Sequence, residues 1–162
     1  MPQEIEIREA TEKDEEAIYK LSCALATAVG DSRPDSEAVK ERLLELLDVP
    51  SARTLVAEGE EGILGVMSFW VKPDLAHGDL VVEIPMLAVA EEARRQGVGK
   101  LLIQKAQEVA SEHGASLIEL IATPGNTSAR EFYRSLGFVE TDNISLEFRG
   151  DVEDPPDSDK KS

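Results

Sequence analysis

A concentrated basic stretch of the chain is ARRQGVGKLL, residues 93–102. It places Arg94, Arg95 and Lys100 around two glycines, although the sequence has 17 Lys and Arg against 33 Asp and Glu and a formal net charge of −16. Glycine-rich backbone suits an anion, because the missing Cβ atoms let a ligand approach the main-chain amides. The stretch therefore predicts a site for a phosphate-bearing ligand. The alternative is that the glycines serve only a tight turn and the basic side chains are solvated.

Two familiar nucleotide-binding loops are excluded by the spacing of these residues. A Walker A loop requires glycine where Arg94 stands, and Ser or Thr where Leu101 stands. A dinucleotide-binding fingerprint requires a third glycine at Leu102, a position expected to pack inward. What remains is a short loop leading into the first turn of a helix, where unpaired N–H groups and the helix dipole favour negative charge.

The elements that must position this loop follow from hydrophobic patterning. Residues 80–89, LVVEIPMLAV, carry a single charge at Glu83 and predict a central strand buried on both faces. Pro85 cannot donate a ladder hydrogen bond, so it predicts a bulge or an open edge. The residues from 97 to 113 show helical periodicity and end before Gly114.

The rest of the chain predicts further alternating and helical segments. These are a strand at 4–8, helices beginning at Thr11 and at Asp35 or Ser36, a hairpin of TLVAE and ILGVMSFWV, a strand at SLIELIA, a helix from Asn126 to about Leu136, and short strands at FVE and ISLEF. This order indicates an α+β fold. We expect one domain at 1–149 and an acidic, disordered tail at 150–162.

Composition excludes several classes of function. The acidic balance opposes binding to nucleic acid phosphates or anionic lipid. The sequence has no run of roughly 20 apolar residues and its start lacks the pattern of a signal peptide, so a cytoplasmic protein with no membrane partner is expected. It also has no Cys and His cluster with metal-ligand spacing, so no metal is expected.

Two stretches together resemble a known family. LAVAEEARRQGVGKLLI resembles the signature of the GCN5-related N-acetyltransferase (GNAT) superfamily: a strand, then Arg or Gln, two variable residues, Gly, any residue, and Gly or Ala. NTSAREFYRSLGF resembles the second motif, with Asn, a small residue three positions later, Tyr near the helix centre and a Gly-Phe ending. The resemblance covers roughly residues 4–149. It implies a mixed, mostly antiparallel twisted sheet of six to seven strands flanked by about four helices.

The resemblance implies acetyl-CoA as the co-substrate and assigns the residues that hold it. The pantetheine arm is expected along the strand at Leu87, Ala88 and Val89. Asn126 is expected to form a hydrogen bond to it, and the small side chain of Ala129 is expected to leave room for it beside the helix. The expected pyrophosphate site consists of the amides of Gln96, Gly97, Val98 and Gly99 and the side chains of Arg94, Arg95 and Lys100. Glu91 and Glu92 are expected to point to solvent.

The resemblance also implies direct acetyl transfer to a primary amine in a ternary complex. Glu83 is the expected general base, with a pKa raised by burial, and Tyr133 is the expected general acid for the coenzyme A thiolate. An amide near Leu87 would polarise the thioester carbonyl. Other interpretations remain open at this stage: Glu83 paired with a lysine, Tyr133 as a packing residue, and Arg130 and Arg134 facing either the adenosine 3′-phosphate or solvent.

The acceptor and the assembly are less determined by the sequence. A small-molecule or peptide amine fits the acidic chain, and a homodimer is an expectation from the superfamily. The alternative function is a catalytically idle acyl-CoA-binding sensor or interaction module.

Overall fold

The computed structural model describes residues 3–150, which form a five-stranded sheet with helices on both faces. The strands are β1 (Glu6–Glu9), β2 (Ala52–Gly59), β3 (Gly62–Asp74), β4 (Asp79–Val89) and β5 (Leu117–Leu120), and the helices are α1 (Glu15–Val29), α2 (Ser36–Leu47), α3 (Val98–His113) and α4 (Thr127–Ser135). Apart from Gly150, the tail expected at 150–162 lies outside the described residues.

Local capping determines where the first two helices begin. Thr11 and Asp14 form a reciprocal capping box ahead of α1, and the Asp35 carboxylate accepts a hydrogen bond from the Ala38 amide at the start of α2. Arg8 of β1 donates two hydrogen bonds of 2.9 Å to the Asp14 carboxylate. The guanidinium holds the pKa of Asp14 below its usual value. These contacts tie α1 to the edge of the sheet.

The sheet is mixed, and its strand order follows the chain: β1-β2-β3-β4-β5. The first three pairings are antiparallel, and only β4 and β5 are parallel. The predicted fold class is confirmed, with five strands among the described residues where six to seven were expected.

Strand β4 loses one of its two partners halfway along its length. Its parallel pairing with β5 ends at Ile84 opposite Leu120. On its other side, the register with β3 shifts so that Ile84 and Pro85 lie opposite the single residue Phe69. Beyond Ile84, no strand among residues 3–150 pairs with β4 on the β5 side. The bulge and the open edge predicted at Pro85 are therefore both present.

Two apolar clusters fix the sheet between its helices. On one face α3 packs on the sheet through fully buried side chains that include Met67, Phe69, Val82, Leu102 and Ile103. On the other face α1 and α2 pack through Ile18, Leu21, Leu43, Val56 and Val66. Both helical layers lie against β3 and β4, so β4 is closely packed on both faces of the sheet while its edge beyond Ile84 is open.

The two strands expected after α4 are absent, and this prediction is wrong for the described residues. Residues 138–149 are irregular, and alternate apolar side chains of ISLEF are exposed: Ile144 by 83%, Leu146 by 90% and Phe148 by 61%. An alternation of apolar and polar residues shows only that one face of an extended segment is apolar. A stable strand also needs a hydrogen-bonded neighbour and a core that covers this face. The ISLEF stretch has neither among the described residues.

Among residues 3–150, no helix combines the length and the apolarity that crossing a membrane requires.

Candidate active site

The turn before α3 is held in an unusual backbone conformation. Arg95 has a φ of 70° and Gly97 a φ of 80°, and Arg95 is the one non-glycine residue with positive φ in the described range. The Gln96 amide donates to the Ala93 carbonyl at 3.2 Å, which closes the turn. Positive φ in a non-glycine residue costs roughly 1–2 kcal/mol, so the surrounding structure must enforce it.

This turn leaves the start of α3 without internal partners for its amides. The first intrahelical bond runs from the Leu101 amide to the Gly97 carbonyl at 3.0 Å, and no side chain caps this end. The N–H groups of Gly97, Val98, Gly99 and Lys100 are therefore directed out of the helix, where the dipole is positive. Of the predicted amide set, Gln96 differs, since its N–H already bonds within the turn.

Charge around these amides is positive and uncompensated. Arg94, Arg95 and Lys100 are exposed, and none forms an ion pair with another residue in the described range. Glu91 and Glu92 are also exposed, as expected. An anion at the helix start thus meets three cationic side chains and a set of free donors, which is the chemistry a pyrophosphate requires.

The two glycines of the loop have different structural roles. A Cβ atom on Gly97 would meet nothing within 4 Å, so Gly97 is needed for its positive φ and leaves open space. A Cβ atom on Gly99 would lie 2.9 Å from Cζ of Phe132 in α4. Gly99 is therefore needed for the close packing of α4 on the first turn of α3.

The open edge of β4 continues from this turn. Because Ala90 donates to the Leu64 carbonyl of β3 at 2.8 Å, the alternation of a strand turns the backbone of Ala88 to β3 as well. The N–H and C=O groups of Leu87 and Val89 then face the opposite side, where β5 has ended. Of the three strand residues predicted to bind a cofactor, these two present free backbone groups to an extended ligand.

Tyr133 lies on α4 among apolar groups. Its ring contacts Phe132 and Phe138 edge to face, with centroids 5.2 and 5.5 Å apart, and it packs on the same cluster as Leu87 and Val89. Burial raises the pKa of the Tyr133 phenol to about 12. The phenol therefore keeps its proton at neutral pH.

The start of α4 has the cap that the sequence predicts. The Asn126 side-chain oxygen accepts from the Ala129 amide at 3.2 Å. No described residue accepts from the Asn126 side-chain NH2 group, which leaves two donors for a ligand. Ala129 is partly buried and presents only a methyl group.

The two arginines of α4 have a partner that sequence reasoning missed. Arg130 donates two hydrogen bonds to Glu140, at 2.8 and 2.9 Å, and Arg134 donates a third at 3.0 Å. The hydrogen bond from Arg130 lowers the pKa of Glu140 to about 2. Glu140 is therefore a partner of both arginines that neither expectation, the adenosine 3′-phosphate or solvent, included.

Glu83 departs from its expected burial. Its side chain is 37% exposed, and its carboxylate forms an ion pair with Lys72 of β3. The hydrogen bond to Glu83 raises the pKa of Lys72. The expectation of a buried carboxyl is wrong, because the apolar run covers only the opposite face of β4 at this point. Identifying Lys72 as the partner of Glu83 requires the register of the β3–β4 hairpin, which the sequence does not specify.

A surface hollow borders the turn before α3. A depression of about 830 Å³ separates the β2–β3 turn from the turn before α3, and its lining includes Glu60, Glu61 and Glu92 beside Arg95. Three carboxylates make it a poor fit for a polyphosphate. The open edge of β4 and the start of α3 together fit an extended anionic ligand better than this hollow does.

Comparisons with known proteins place this geometry in context. The family model described as Acetyltransferase (GNAT) family matches residues 15–138. An aminoalkylphosphonate N-acetyltransferase from Salmonella typhimurium is 28% identical over 136 residues, covering 84% of this chain and 86% of that protein.

Solved structures are similar over almost the whole chain. A transcriptional regulator from Bacillus halodurans C-125 is 26% identical and superposes with a TM-score of 0.80, covering 91% of this chain and 100% of that one. An aminoglycoside N-acetyltransferase in complex with CoA is 21% identical and superposes with a TM-score of 0.78, covering 91% of this chain and 95% of that one.

Proposed function

Because this chain belongs to the acetyltransferase (GNAT) family and is an acetyl-CoA-dependent N-acetyltransferase, we propose that it transfers the acetyl group directly to a primary amine in a ternary complex. The predictions of family, enzyme class and co-substrate are confirmed. The domain limit at 149, the homodimer, the cytoplasmic location and the exclusion of nucleic acid and membrane partners stay predictions.

The observation that carries the proposal is the meeting of two features at one place: an uncapped, cation-flanked start of α3 and the open edge of β4. The amides of Gly97, Val98, Gly99 and Lys100 would hold the pyrophosphate of acetyl-CoA, with Arg94, Arg95 and Lys100 supplying positive charge. The Leu87 carbonyl and the free N–H and C=O groups of Val89 would pair with the pantetheine amides, which leaves the Leu87 N–H for the thioester. Asn126 would donate to the same arm.

The reaction needs proton transfer at two atoms. Glu83 would accept the proton of the acceptor ammonium, directly or through a water, so that the neutral nitrogen attacks the thioester carbonyl carbon. The Leu87 amide would donate to the carbonyl oxygen while negative charge develops on it, a contribution of about 3 kcal/mol when such a donor is well aligned. A C–N bond forms, the C–S bond breaks, and the attacking nitrogen loses its second proton to water, so that a neutral amide remains. The Tyr133 phenol would then give its proton to the departing thiolate sulfur.

Two relatives indicate the kind of acceptor. The Salmonella typhimurium relative is named for acetylation of an aminoalkylphosphonate, and a structural relative for acetylation of an aminoglycoside. Both are small molecules that carry amines. A small amine is therefore the first acceptor to test, ahead of a peptide.

The decisive experiment measures free thiol release from acetyl-CoA with a panel of small amines and peptides. We expect amine-dependent release that Glu83→Gln and Tyr133→Phe each reduce about 100-fold or more, with acetyl-CoA binding retained. Glu112→Gln, at an exposed carboxylate near the end of α3, is the matched control for the loss of a charge. Tight acetyl-CoA binding without turnover of any amine would instead support an idle acyl-CoA-binding module.

A further inference from the structure

The side chain of Gln3 joins the chain ahead of β1 to the turn before α3. Its Nε2 donates to Gln96 Oε1 at 2.9 Å, and its Oε1 accepts from the backbone amide of Glu60, in the β2–β3 turn, at 3.1 Å. Gln3 also lines the surface hollow that lies between these two turns. One carboxamide group therefore bridges the hollow and holds its two sides together.

The place of Gln3 is built into the sheet. Ile5 and Ile7 pack on the apolar cluster beneath α3, and they anchor the chain that follows Gln3 on that face. Gly59 leaves room for the Gln3 side chain, because a Cβ atom on Gly59 would lie 2.5 Å from Gln3 Oε1 and 2.7 Å from a methyl group of Leu64. A larger residue at this position would have to displace one of these side chains.

Gln96 receives the contact from Gln3 inside the turn. Its backbone amide donates to the Ala93 carbonyl at 3.2 Å, and its Nε2 donates to the Glu92 carbonyl at 3.1 Å. Both of these bonds lie within the turn itself. Among residues 3–150, the bond from Gln3 is the one that ties Gln96 to another part of the chain. The two polar atoms of the Gln96 side chain are thus held, one from inside the turn and one from outside.

The turn needs such support because it is strained. Arg95, directly before Gln96, has a φ of 70°, and a non-glycine residue persists in this region where its surroundings enforce it. Fixing Gln96 from two sides restrains the peptide bond that follows Arg95. The same restraint keeps the free amides at the start of α3 directed outward before a ligand is bound.

We propose that Gln3 is a positioning residue for acetyl-CoA: acting through Gln96, it keeps the turn before α3 in the conformation that receives the pyrophosphate. This inference rests on the proposed function, which places the pyrophosphate at that turn. Gln3 binds no part of the cofactor and takes no part in proton transfer. A turn that leaves the binding conformation for part of the time binds acetyl-CoA more weakly in proportion, so Gln3 affects affinity and not the chemical step.

The test replaces Gln3 by methionine, which keeps the length of the side chain and removes both hydrogen bonds. In Gln3→Met we expect the Kd for CoA, measured by isothermal titration calorimetry, and the KM for acetyl-CoA to rise about fivefold, while kcat stays within about twofold. The control variant Gln104→Met makes the same change at an exposed position of α3 and should alter neither value. A role in general stability alone would lower Tm without this separation of KM from kcat.

Limited proteolysis reports on the turn without any cofactor. Trypsin cleaves after the exposed Arg94 and Arg95 when the turn opens locally. We expect this cleavage, identified from the masses of the fragments, to be several-fold faster in Gln3→Met than in the unmodified protein or in Gln104→Met. Gly59→Ala, whose methyl group displaces the Gln3 carboxamide, should reproduce the faster cleavage and add little to the effect of Gln3→Met.

Unchanged cleavage at the turn in Gln3→Met, or an unchanged Kd for CoA, would overturn the inference. So would fully additive effects of Gln3→Met and Gly59→Ala, because the two changes would then act through different contacts. An unmodified protein that binds neither CoA nor acetyl-CoA would contradict the proposed function instead, and the cleavage rates would still decide whether Gln3 holds the turn.

Discussion

Tyr133 illustrates how a single environment can suit both packing and proton donation. Its ring lies between Phe132 and Phe138, and burial raises the pKa of its phenol to about 12. A group with that pKa remains protonated throughout the physiological range and therefore has a proton to donate. Because an ordinary thiol has a pKa of about 8.5, donation to the thiolate of coenzyme A requires that the same apolar surroundings destabilise the departing anion and raise its basicity.

We predict that Tyr133→Phe lowers kcat about 100-fold and leaves the KM for acetyl-CoA within about twofold. The ring and its packing are retained, so the loss isolates the hydroxyl. Because the folded-state pKa is about 12, Tyr133 produces no falling limb in the pH profile of kcat below about pH 11. Steady-state kinetics with a thiol-detecting reagent measures both.

The control for this prediction is Tyr19→Phe, which removes a hydroxyl that donates to the Pro34 carbonyl at 3.2 Å, away from α4. It should leave kcat unchanged. A Tyr133→Phe enzyme with full kcat would mean that Tyr133 has a packing role alone and that water protonates the thiolate.

Asp14 carries a second residue-scale prediction, on stability. Its side chain is 8% exposed and accepts two hydrogen bonds from Arg8 and one from the Thr11 amide. Charge-assisted hydrogen bonds of this kind contribute about 1–3 kcal/mol. We therefore expect Asp14→Asn to lower the free energy of unfolding by about that amount at pH 7.

The pH dependence of this effect follows from the lowered pKa of Asp14. A carboxyl with a lower pKa in the folded state stabilises the protein above its unfolded pKa of about 4 and loses this contribution as pH falls through the folded-state value. Urea unfolding at several pH values should therefore show the difference from the unmodified protein shrinking below about pH 4. Glu12→Gln, at an exposed position in the same turn, should show no comparable difference.

At the scale of elements, α3 is organised by two glycines with separable roles. We predict that Gly97→Ala costs about 1–2 kcal/mol of stability through strain, because φ is 80°, while its methyl group meets open space. Gly99→Ala should disturb the packing of α4, since its methyl group would lie 2.9 Å from the Phe132 ring.

The pair of variants separates backbone strain from helix packing. Gly99→Ala should lower both the Tm of thermal unfolding and the affinity for acetyl-CoA. The double variant Gly99→Ala with Phe132→Leu should recover part of both losses. Gly97→Ala should gain nothing from Phe132→Leu. Equal recovery in both variants would contradict the assignment of separate roles.

Sequence predicted the helices and their caps well because their signals are local. Thr11 with Asp14, Asp35, and Asn126 each act within four residues, so short patterns contain the whole interaction. The open edge at Pro85 was also predicted, since a proline restricts its own strand. A lysine partner for Glu83 was one of the interpretations left open, but Lys72 could not be identified, because that contact depends on a hairpin register with a bulge. The prediction of two strands within residues 138–149 was wrong for a related reason. An alternating pattern does not specify which edge of the sheet a strand would pair with.

At the scale of the whole molecule, the charge distribution favours one substrate over the other. A net charge of −16 attracts a cationic acceptor from a distance, whereas acetyl-CoA meets long-range repulsion and the local attraction of Arg94, Arg95 and Lys100. The two effects on acetyl-CoA have opposite signs and are screened together. A cationic acceptor would be attracted by the same long-range field.

Salt should therefore act unequally on the two substrates. The Debye length falls from about 30 Å at 0.01 M to about 10 Å at 0.1 M ionic strength, which removes most of the long-range field. We predict that kcat/KM for a dicationic amine falls several-fold over this range, while kcat/KM for acetyl-CoA changes less. Measuring both in sodium chloride, with a neutral osmolyte of equal osmolarity as the control, tests this. A larger salt effect on acetyl-CoA would show that the local cations at α3, and not the field of the whole acidic chain, dominate the electrostatics of binding.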